Sequence, residues 1–404
     1  MIQALRGMKD IMSPENERFV YIVDTASEIA KRYGYEYIET PLLEETALFK
    51  RSVGESSDIV GKEMYQFIDK GGHDVSLRPE GTAGIVRAFI QSKLDKKGGV
   101  HRFYYHGPMF RYERPQKGRL REFHQFGCES FGEDSVYEDF NIILMIKDIF
   151  DALGIGYSIK INSLGCPECM PGYREQLIEH LHDIKDGLCE DCNRRIETNP
   201  IRVLDCKNET CRTLLADSPV IVQNLCEACD SDFGTLTSML DSHGIEYELD
   251  PKLVRGLDYY TRTAFEFVSG EIGAQSAIAG GGRYNRLVEF LGGKPTPAVG
   301  FALGIERIIE LVKLPEKGRS GVYLGVMEPE AIGTILKIAH KKRAEERVYV
   351  EYKKRSLKAH LKAADRMGAK ICAVIGEEEL QNSEIWVKDL ETKEERRVGV
   401  DRFE

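Results

Sequence analysis

Five cations, Arg111, Arg114, Lys117, Arg119 and Arg121, fall within eleven residues of a 404-residue chain whose formal charge is -10. In an acidic protein such a cluster is a local device, and phosphate binding requires a local basic patch. Three other stretches combine Gly or Pro with polar residues that a plain core would not hold: "RPEGTAG" (78–84), "VRGLDYYTRTAFEF" (254–267) and "AVGFALGIERI" (298–308). A second kind of chemistry is written in cysteine. Eight of the ten cysteines form four close pairs, Cys166-x2-Cys169, Cys189-x2-Cys192, Cys206-x4-Cys211 and Cys226-x2-Cys229. Short paired spacing of this kind is a zinc signal, because tetrahedral sites are often built from two such knuckles. Eight ligands fill two closed four-thiolate sites, and the four pairs can be grouped in three ways. No open coordination position is evident, so the expected role of zinc is structural. Cys128 and Cys372 stand alone in apolar runs and read as buried thiols.

Elements must position these groups. "VHRFYYHGPMFRYE" and "REFHQFGCESFG" favour strands, and the intervening "RPQKGRLR" contains Pro and Gly, which predicts a β-hairpin. The period of two then puts Gln125 and Glu129 on one face of the second strand. Ser13-Pro14 reads as a helix start, followed by an apolar stripe at Phe19, Ile22, Val23, Ala26, Ile29, Ala30 and Tyr33, with Gly34 as the stop. "YEYIET" reads as a strand ending at Pro41, and "VSLRPEGTAGIVRAFI" as strand, turn and helix. From Leu164 to Asp232 the cysteines sit among helical stretches. Strand-like text resumes with "GIEYELD" and "RGLDYYTRTAFEFVSG", so this segment reads as an insertion. After a linker at 313–321, the runs "VYLGVM", "RVYVEY", "KICAVIG" and "EIWVKDL" alternate with helix-like segments, as in a small α/β domain with a partly parallel sheet.

Length suggests two or three domains, and a hydrophobic content of 42% is ample for a core. No run of eighteen apolar residues marks a membrane span. The opening "MIQALRGMKDIMSPE" lacks the apolar segment of a secretory signal, so a cytoplasmic location without membrane association is expected. Between Lys337 and Lys370, twelve Lys or Arg stand against four Asp or Glu, which reverses the sign of the whole chain.

Each short motif alone has a bland reading. "FRYE" would be an ordinary edge strand, "GGGRY" a tight turn, Tyr259 and Tyr260 core aromatics, Glu80 a helix cap, and the basic C-terminal helix a solvated face. Their joint order is specific. Phe110-Arg111-Tyr112-Glu113, "GFALGIER" (300–307), "LVRGLDYYTRTAFEF" (253–267) and "AGGGRYNRL" (279–287) together resemble the class II aminoacyl-tRNA synthetases, and among them the histidyl-tRNA synthetase family. The resemblance covers essentially the whole chain, with the cysteine-rich insertion its least typical part.

That resemblance implies an α+β fold: an antiparallel-sheet catalytic core, the cysteine-rich helical insertion, and a C-terminal α/β anticodon-binding domain. The corresponding spans are 1–163 and 236–315 for the core, 164–235 for the insertion and 320–404 for the last domain. It implies ATP-dependent activation of L-histidine to histidyl-adenylate, then transfer to the 3' end of tRNA(His). ATP with Mg2+ would be the energy source, and the protein a homodimer with the helix and strand around Pro41 at its interface. By the same resemblance Arg111 and Arg255 are catalytic. Arg111, Glu113 and Arg307 bind ATP. Glu80, Thr82, Gln125, Glu129, Arg255, Tyr260 and Tyr284 bind histidine, while Arg114, Gln116, Lys117 and Arg119 reach the tRNA acceptor end. Many family members lack the paired cysteines, so the reaction itself does not depend on them. The rival reading is a catalytically silent relative that serves as regulatory subunit of an ATP phosphoribosyltransferase. Such a chain would be expected to lose the ATP-contacting residues and the C-terminal domain; here Arg111, Glu113, Arg255, Arg307 and that domain are all present.

Overall fold

The computed structural model describes residues 2–54, 57, 59–116, 118–272, 277–316 and 318–403. The hairpin forms with full register: His101–Phe110 pairs antiparallel with Glu122–Phe131, His101 opposite Phe131 and Phe110 opposite Glu122. It is the start of an eight-stranded sheet. Beyond Glu122–Phe131 the order runs Ala298–Gly304, Ala277–Arg283, Thr261–Val268 and Ser158–Ser163, each antiparallel to its neighbour. Two-residue strands, Glu36–Tyr37 and Glu248–Leu249, close the two edges in parallel.

Alternation divides the sheet into two faces. Phe126, Cys128, Phe265, Phe267, Val299, Phe301 and Leu303 point to one side, where they pack under helices Glu15–Arg32 and Val136–Leu153. Ile22, Ala26, Ile29 and Ala30 come from the first helix and Ile142, Ile146, Ile149 and Phe150 from the second. The first helix begins at Glu15, one residue later than expected: Pro14 rather than Ser13 stands at its N-cap, and no side chain caps it. The second starts on Ser135, whose hydroxyl accepts from the Tyr137 amide at 3.3 Å. On the opposite face, Tyr105, Phe131, Tyr259 and Tyr284 pack with Ile85, Val86 and Phe89 of helix Thr82–Gln91. That helix covers only part of the face.

The cysteine-rich segment leaves the sheet at Leu164, whose amide donates to the Arg262 carbonyl at 2.6 Å. Its helices Met170–Asp183, Glu190–Thr198 and Glu209–Leu214 enclose a core of Tyr173, Leu177, Leu181, Ile196, Val203 and Leu215 with four buried cysteines. Helix Glu227–Ser242 leads back: Cys229 near its start belongs to this small core, and Leu236 and Leu240 belong to the main one. The segment therefore shares one compact unit, Met1–Leu314, with the sheet.

Pro315–Glu404 is the second unit. Its sheet runs Val348–Glu351, Val322–Val326, Ile371–Ile375, Glu384–Asp389, Glu395–Gly399. The first three strands are parallel and the last two antiparallel. The final strand, "ERRVG", is too charged to be read from hydrophobic pattern. His360 is fully buried, between the Tyr323 hydroxyl and the Val326 carbonyl, both at 2.9 Å, a satisfied core histidine.

Candidate active site

The uncovered face of the large sheet is floored by residues with little or no side chain, Gly280, Ala302 and Gly304 among them, and above it lies a cavity of about 500 Å³. Two of the glycines make room for specific groups. A Cβ on Gly280 would fall 2.4 Å from the Arg255 guanidinium, and one on Gly300 would fall 1.8 Å from Oε2 of Glu129. The glycine-rich strands therefore keep the sheet surface low enough for charged side chains to lie across it.

One side of the cavity is cationic. Arg111, Arg119 and Arg307 all line it. Arg111 donates from Nε to the Pro79 carbonyl at 2.8 Å and lies over the Phe123 ring, 5.1 Å from its centre. Glu113, buried between two of the arginines, has Oε2 at 2.9 Å from Arg119 and Oε1 at 3.8 Å from Arg111. Arg307 is anchored on the Gly118 and Ala277 carbonyls at 3.3 and 2.5 Å. Burial, then the charges of Arg119 and Arg111, push the Arg307 guanidinium down from its ordinary value. Three cations on one wall with one carboxylate among them form a receptor for a polyanion.

The other side is built from "RPEGT" and the loop before Thr261. Glu80 accepts from the amides of Thr82 at 2.7 Å and Ala83 at 2.9 Å, so it caps the helix and lines the cavity at once. Burial raises its carboxyl above the usual range. Arg255 donates to Glu266 at 2.6 Å, with its guanidinium 6.0 Å from the Tyr260 ring centre. Gln125 and Thr82 complete this side. Buried polar atoms around the cavity, among them Gln125 Oε1, Arg255 Nε and Tyr259 Oη, have no hydrogen-bond partner among the described residues. Unsatisfied buried polar atoms are rare, and their convergence on one cavity marks groups left for a ligand.

Glu129 and Tyr284 are not on the cavity wall. They sit behind it, each 1% exposed. The Tyr284 hydroxyl donates to Glu129 Oε2 and the Thr82 hydroxyl donates to Oε1 at 2.7 Å. Burial drives the Glu129 carboxyl up to about 8. Arg114 and Gln116 are exposed on the hairpin loop and do not line the cavity, and Lys117 lies outside the described residues.

Sequence reasoning missed several wall residues. Tyr259, a core aromatic by pattern, does bury its ring, but its hydroxyl has no hydrogen-bond partner among the described residues. "RGLDYY" was read as strand, yet the strand begins only at Thr261 and the preceding residues form the loop that carries Arg255. Glu306 also lines the cavity and accepts from the backbone amide of His124 at 2.9 Å and from its Nδ1 at 2.8 Å. Asp205 and Lys207 reach the wall from the cysteine-rich segment, 50 and 48 residues from Arg255 in sequence, and no local pattern could have found them.

The thiols fall into two groups, Cys166, Cys169, Cys226 and Cys229, and Cys189, Cys192, Cys206 and Cys211, each with its sulfurs within 4.8 Å of one another. The outer two pairs thus join, and the inner two join. Sγ separations are 3.7 Å for Cys166–Cys169 and Cys166–Cys226, and 3.9 Å for Cys189–Cys206. A disulfide needs about 2.05 Å. Zinc–sulfur bonds of about 2.3 Å set tetrahedral edges of roughly 3.8 Å. The amides of Cys226 and Cys189 point at the sulfurs of Cys169 and Cys211, at 3.1 and 3.2 Å, as outer-shell donors to thiolates do.

In the second unit, Lys341, Arg343, Lys353, Lys354, Lys358, Lys362 and Lys370 are exposed. No helix among the described residues is long and apolar enough to cross a membrane.

Comparison with known proteins adds independent findings. A family model described as histidyl-tRNA synthetase matches residues 7–176 and 205–308, and one described as anticodon binding domain matches 322–404. The unmatched stretch 177–204 lies within the cysteine-rich segment. A histidine–tRNA ligase of Sulfurovum sp. (strain NBC37-1) is 67% identical over 98% of this chain and 99% of its own length. One of Sulfurimonas denitrificans is 64% identical over the full length of both. The crystal structure of apo S. aureus histidyl-tRNA synthetase superposes with a TM-score of 0.83, at 34% identity over 99% of this chain and 98% of that one.

Proposed function

We infer, from the premise that this chain belongs to the histidyl-tRNA synthetase family, that it activates L-histidine with ATP and transfers it to the 3' end of tRNA(His). The observation that carries this reading is the two-sided cavity: a wall of three arginines faces a wall of buried carboxylate and unpartnered polar atoms. Each side has a task in joining a carboxylate to a phosphate.

Activation brings two anions together, and the transition state at phosphorus gathers negative charge. Cations fixed before the reaction stabilise that charge without reorganising. We assign Arg111 to the α-phosphate and Arg307 to the adenine and γ-phosphate, where a planar fork can stack and bind oxygens in pairs. Glu113 holds the adenine end and keeps Arg111 and Arg119 in place. Arg255, braced by Glu266, meets the point where the histidine carboxylate attacks the α-phosphate. Mg2+ accompanies ATP.

Glu80, Thr82 and Gln125 take the amino end of histidine. Tyr260 takes the ring side. Glu129 and Tyr284 act from behind the wall, holding Thr82 in position; burial favours the neutral Glu129 carboxyl, and a cationic substrate group nearby shifts it toward the ionised form. Discrimination rests on pairing both imidazole nitrogens, since an unmatched buried polar group costs about 1–3 kcal/mol.

Exposed Arg114 and Gln116, with Lys117 and the part-buried Arg119, are assigned to the acceptor end of the tRNA, and the basic face of the second unit to its anticodon region. Exposed apolar side chains at Tyr37, Leu42, Leu43, Phe67 and Ile68 support a homodimer that covers the region around Pro41. Each four-thiol group is assigned one zinc ion, on the sulfur spacing and the amide donors. Zinc there would be closed to substrate and structural. A cytoplasmic setting belongs to this reading, because thiolate ligands persist where thiols stay reduced.

The test is exchange of labelled pyrophosphate into ATP with each of the twenty amino acids separately, without tRNA. Exchange with histidine alone is the expected result. No exchange with any of them, from folded dimeric protein, would overturn the reading in favour of the regulatory subunit.

A further inference from the structure

The loop that carries Arg255 is held from outside the catalytic sheet. Arg202, in the short turn Pro200–Val203 of the cysteine-rich segment, donates from Nη2 to the Gly256 carbonyl at 2.7 Å. Its Nε and Nη2 also reach Oδ1 of Asp258 at 2.9 and 2.8 Å. Asn199 adds a fourth bond, Nδ2 to the same oxygen at 3.1 Å. The Asp258 carboxylate is pressed against Gly54, where a Cβ would fall 2.5 Å from Oδ2. The loop residues between and after these contacts are Leu257, Tyr259 and Tyr260, all lining the cavity.

Arg202 is in turn tied to a thiol group. Val203, next to it, is fully buried in the small core with Cys192 and Cys211. The Cys206 amide donates to the Val203 carbonyl at 3.1 Å. The residues on either side of Cys206, Asp205 and Lys207, lie on the catalytic cavity wall. One short stretch of chain therefore holds a thiol ligand, two wall residues and the arginine that grips the Arg255 loop. Val203 and Leu204 anchor this stretch in the small core, whereas Asp205 and Lys207 beyond them are exposed and have no apolar burial to fix them.

We propose that the Cys189, Cys192, Cys206 and Cys211 group is a metal site that sets the geometry of the histidine-activating loop, with Arg202 as the positioning residue that transmits it. The bound ion orders the stretch 202–207, and Arg202 passes that order to Gly256 and Asp258. The inference rests on the activation reading and on zinc at this group. It adds that occupancy of this one site governs how well histidine is bound.

The experiment uses the full-length protein, with metal per chain measured by mass spectrometry, histidine affinity by calorimetry without ATP, and pyrophosphate exchange. Wild type is expected to hold two zinc ions per chain. Arg202→Met should keep both ions and the thermal midpoint, yet raise the KM and Kd for histidine ~10-fold, the usual scale for a lost charge-assisted contact that orients a site. Arg202→Lys should recover part of the loss. Cys206→Ser should hold one ion and shift histidine affinity in the same direction. An Arg202→Met protein with wild-type histidine affinity would overturn the proposal, as would a reduced, zinc-supplemented wild type that binds no metal while still exchanging with histidine. Failure of the activation reading looks different: two ions bound, and no exchange with any amino acid.

Discussion

A Cβ on Gly300 would stand 1.8 Å from Oε2 of Glu129 and 2.6 Å from the Cys128 carbonyl oxygen. The buried carboxyl and the bare glycine on the neighbouring strand fit each other, Gly300 opposite Glu129 in register. Because backbone as well as side chain blocks the space, Gly300→Ala must displace Glu129 or spread the strands. Overpacking costs about 1–3 kcal/mol. We expect Gly300→Ala to fold with a lowered midpoint and to lose ~100-fold in histidine-dependent exchange, because an ångström-scale shift of a substrate-positioning group has that consequence. Denaturant titration and exchange kinetics on one preparation check both.

Glu129 also predicts a pH dependence. Its carboxyl is raised from 4.5 to about 8 by burial. A raised folded-state value means that its contribution to stability is complete below the unfolded value and is lost as pH rises through the folded one. Wild type is therefore expected to lose stability between about pH 5 and pH 8 relative to Glu129→Gln, whose amide stays neutral throughout. Paired urea midpoints across that range measure the difference. A parallel pH profile for the two proteins would refute the burial argument.

The arginine of "GGGRY" has a different task from those on the cavity wall. Arg283 is 1% exposed and Asp139 fully buried. Arg283 donates to the Glu133 and Ser135 carbonyls at 2.9 Å and, through Nε, to Asp139 Oδ2 at 2.9 Å. Removing one partner of a buried pair leaves the other charge unmatched, at about 3–5 kcal/mol. Arg283→Met should lower the thermal midpoint sharply, while exchange per folded molecule stays close to wild type. Arg283→Met combined with Asp139→Leu should regain most of the stability, since both charges then leave together.

How far the sequence carried is clear from such cases. The hairpin was legible because Pro and Gly interrupt two aromatic-rich runs, and its register follows from that turn. The shared face of Gln125 and Glu129 followed from a period of two, but depth did not: Gln125 reaches the cavity wall, and Glu129 lies behind it. The roles proposed for the cavity arginines rest on family motifs, whereas the placement of Asp205 and Lys207 depends on how the cysteine-rich segment folds back. Cysteine spacing announced ligands without saying which pairs join, because that choice is made by the helices between Cys169 and Cys226. The last strand of the second unit escaped notice because it carries Glu395, Arg396 and Arg397 at an exposed edge.

Arg307 and Arg111 converge with Arg119 on one wall, and Glu113 offsets only part of their positive charge, which leaves room for an anionic occupant. Arg307→Ala is expected to raise the KM for ATP and lower exchange ~100-fold, the range for removal of one preorganised transition-state donor. Histidine binding measured by calorimetry in the absence of ATP should be unchanged. Arg307→Lys keeps charge but loses the planar fork, and should recover less than a tenth of the lost rate. A variant that weakened histidine and ATP binding equally would remove the two-sided assignment of the cavity.

The basic face of the second unit makes its own forecast. Lys358 and Lys362 lie four residues apart on helix Leu357–Arg366, so both are presented on one exposed face. Phosphate contacts act through charge and release counterions, so their loss weakens binding and flattens its salt dependence. Lys358→Glu with Lys362→Glu should raise the KM for tRNA(His) ~10-fold in aminoacylation at moderate salt and reduce the slope of log affinity against log salt by about 1–2. Pyrophosphate exchange, which needs no tRNA, should stay at the wild-type rate. If exchange fell along with aminoacylation, the helix would be acting on the first unit rather than on nucleic acid; an unchanged KM and slope would reduce these lysines to a solvated surface.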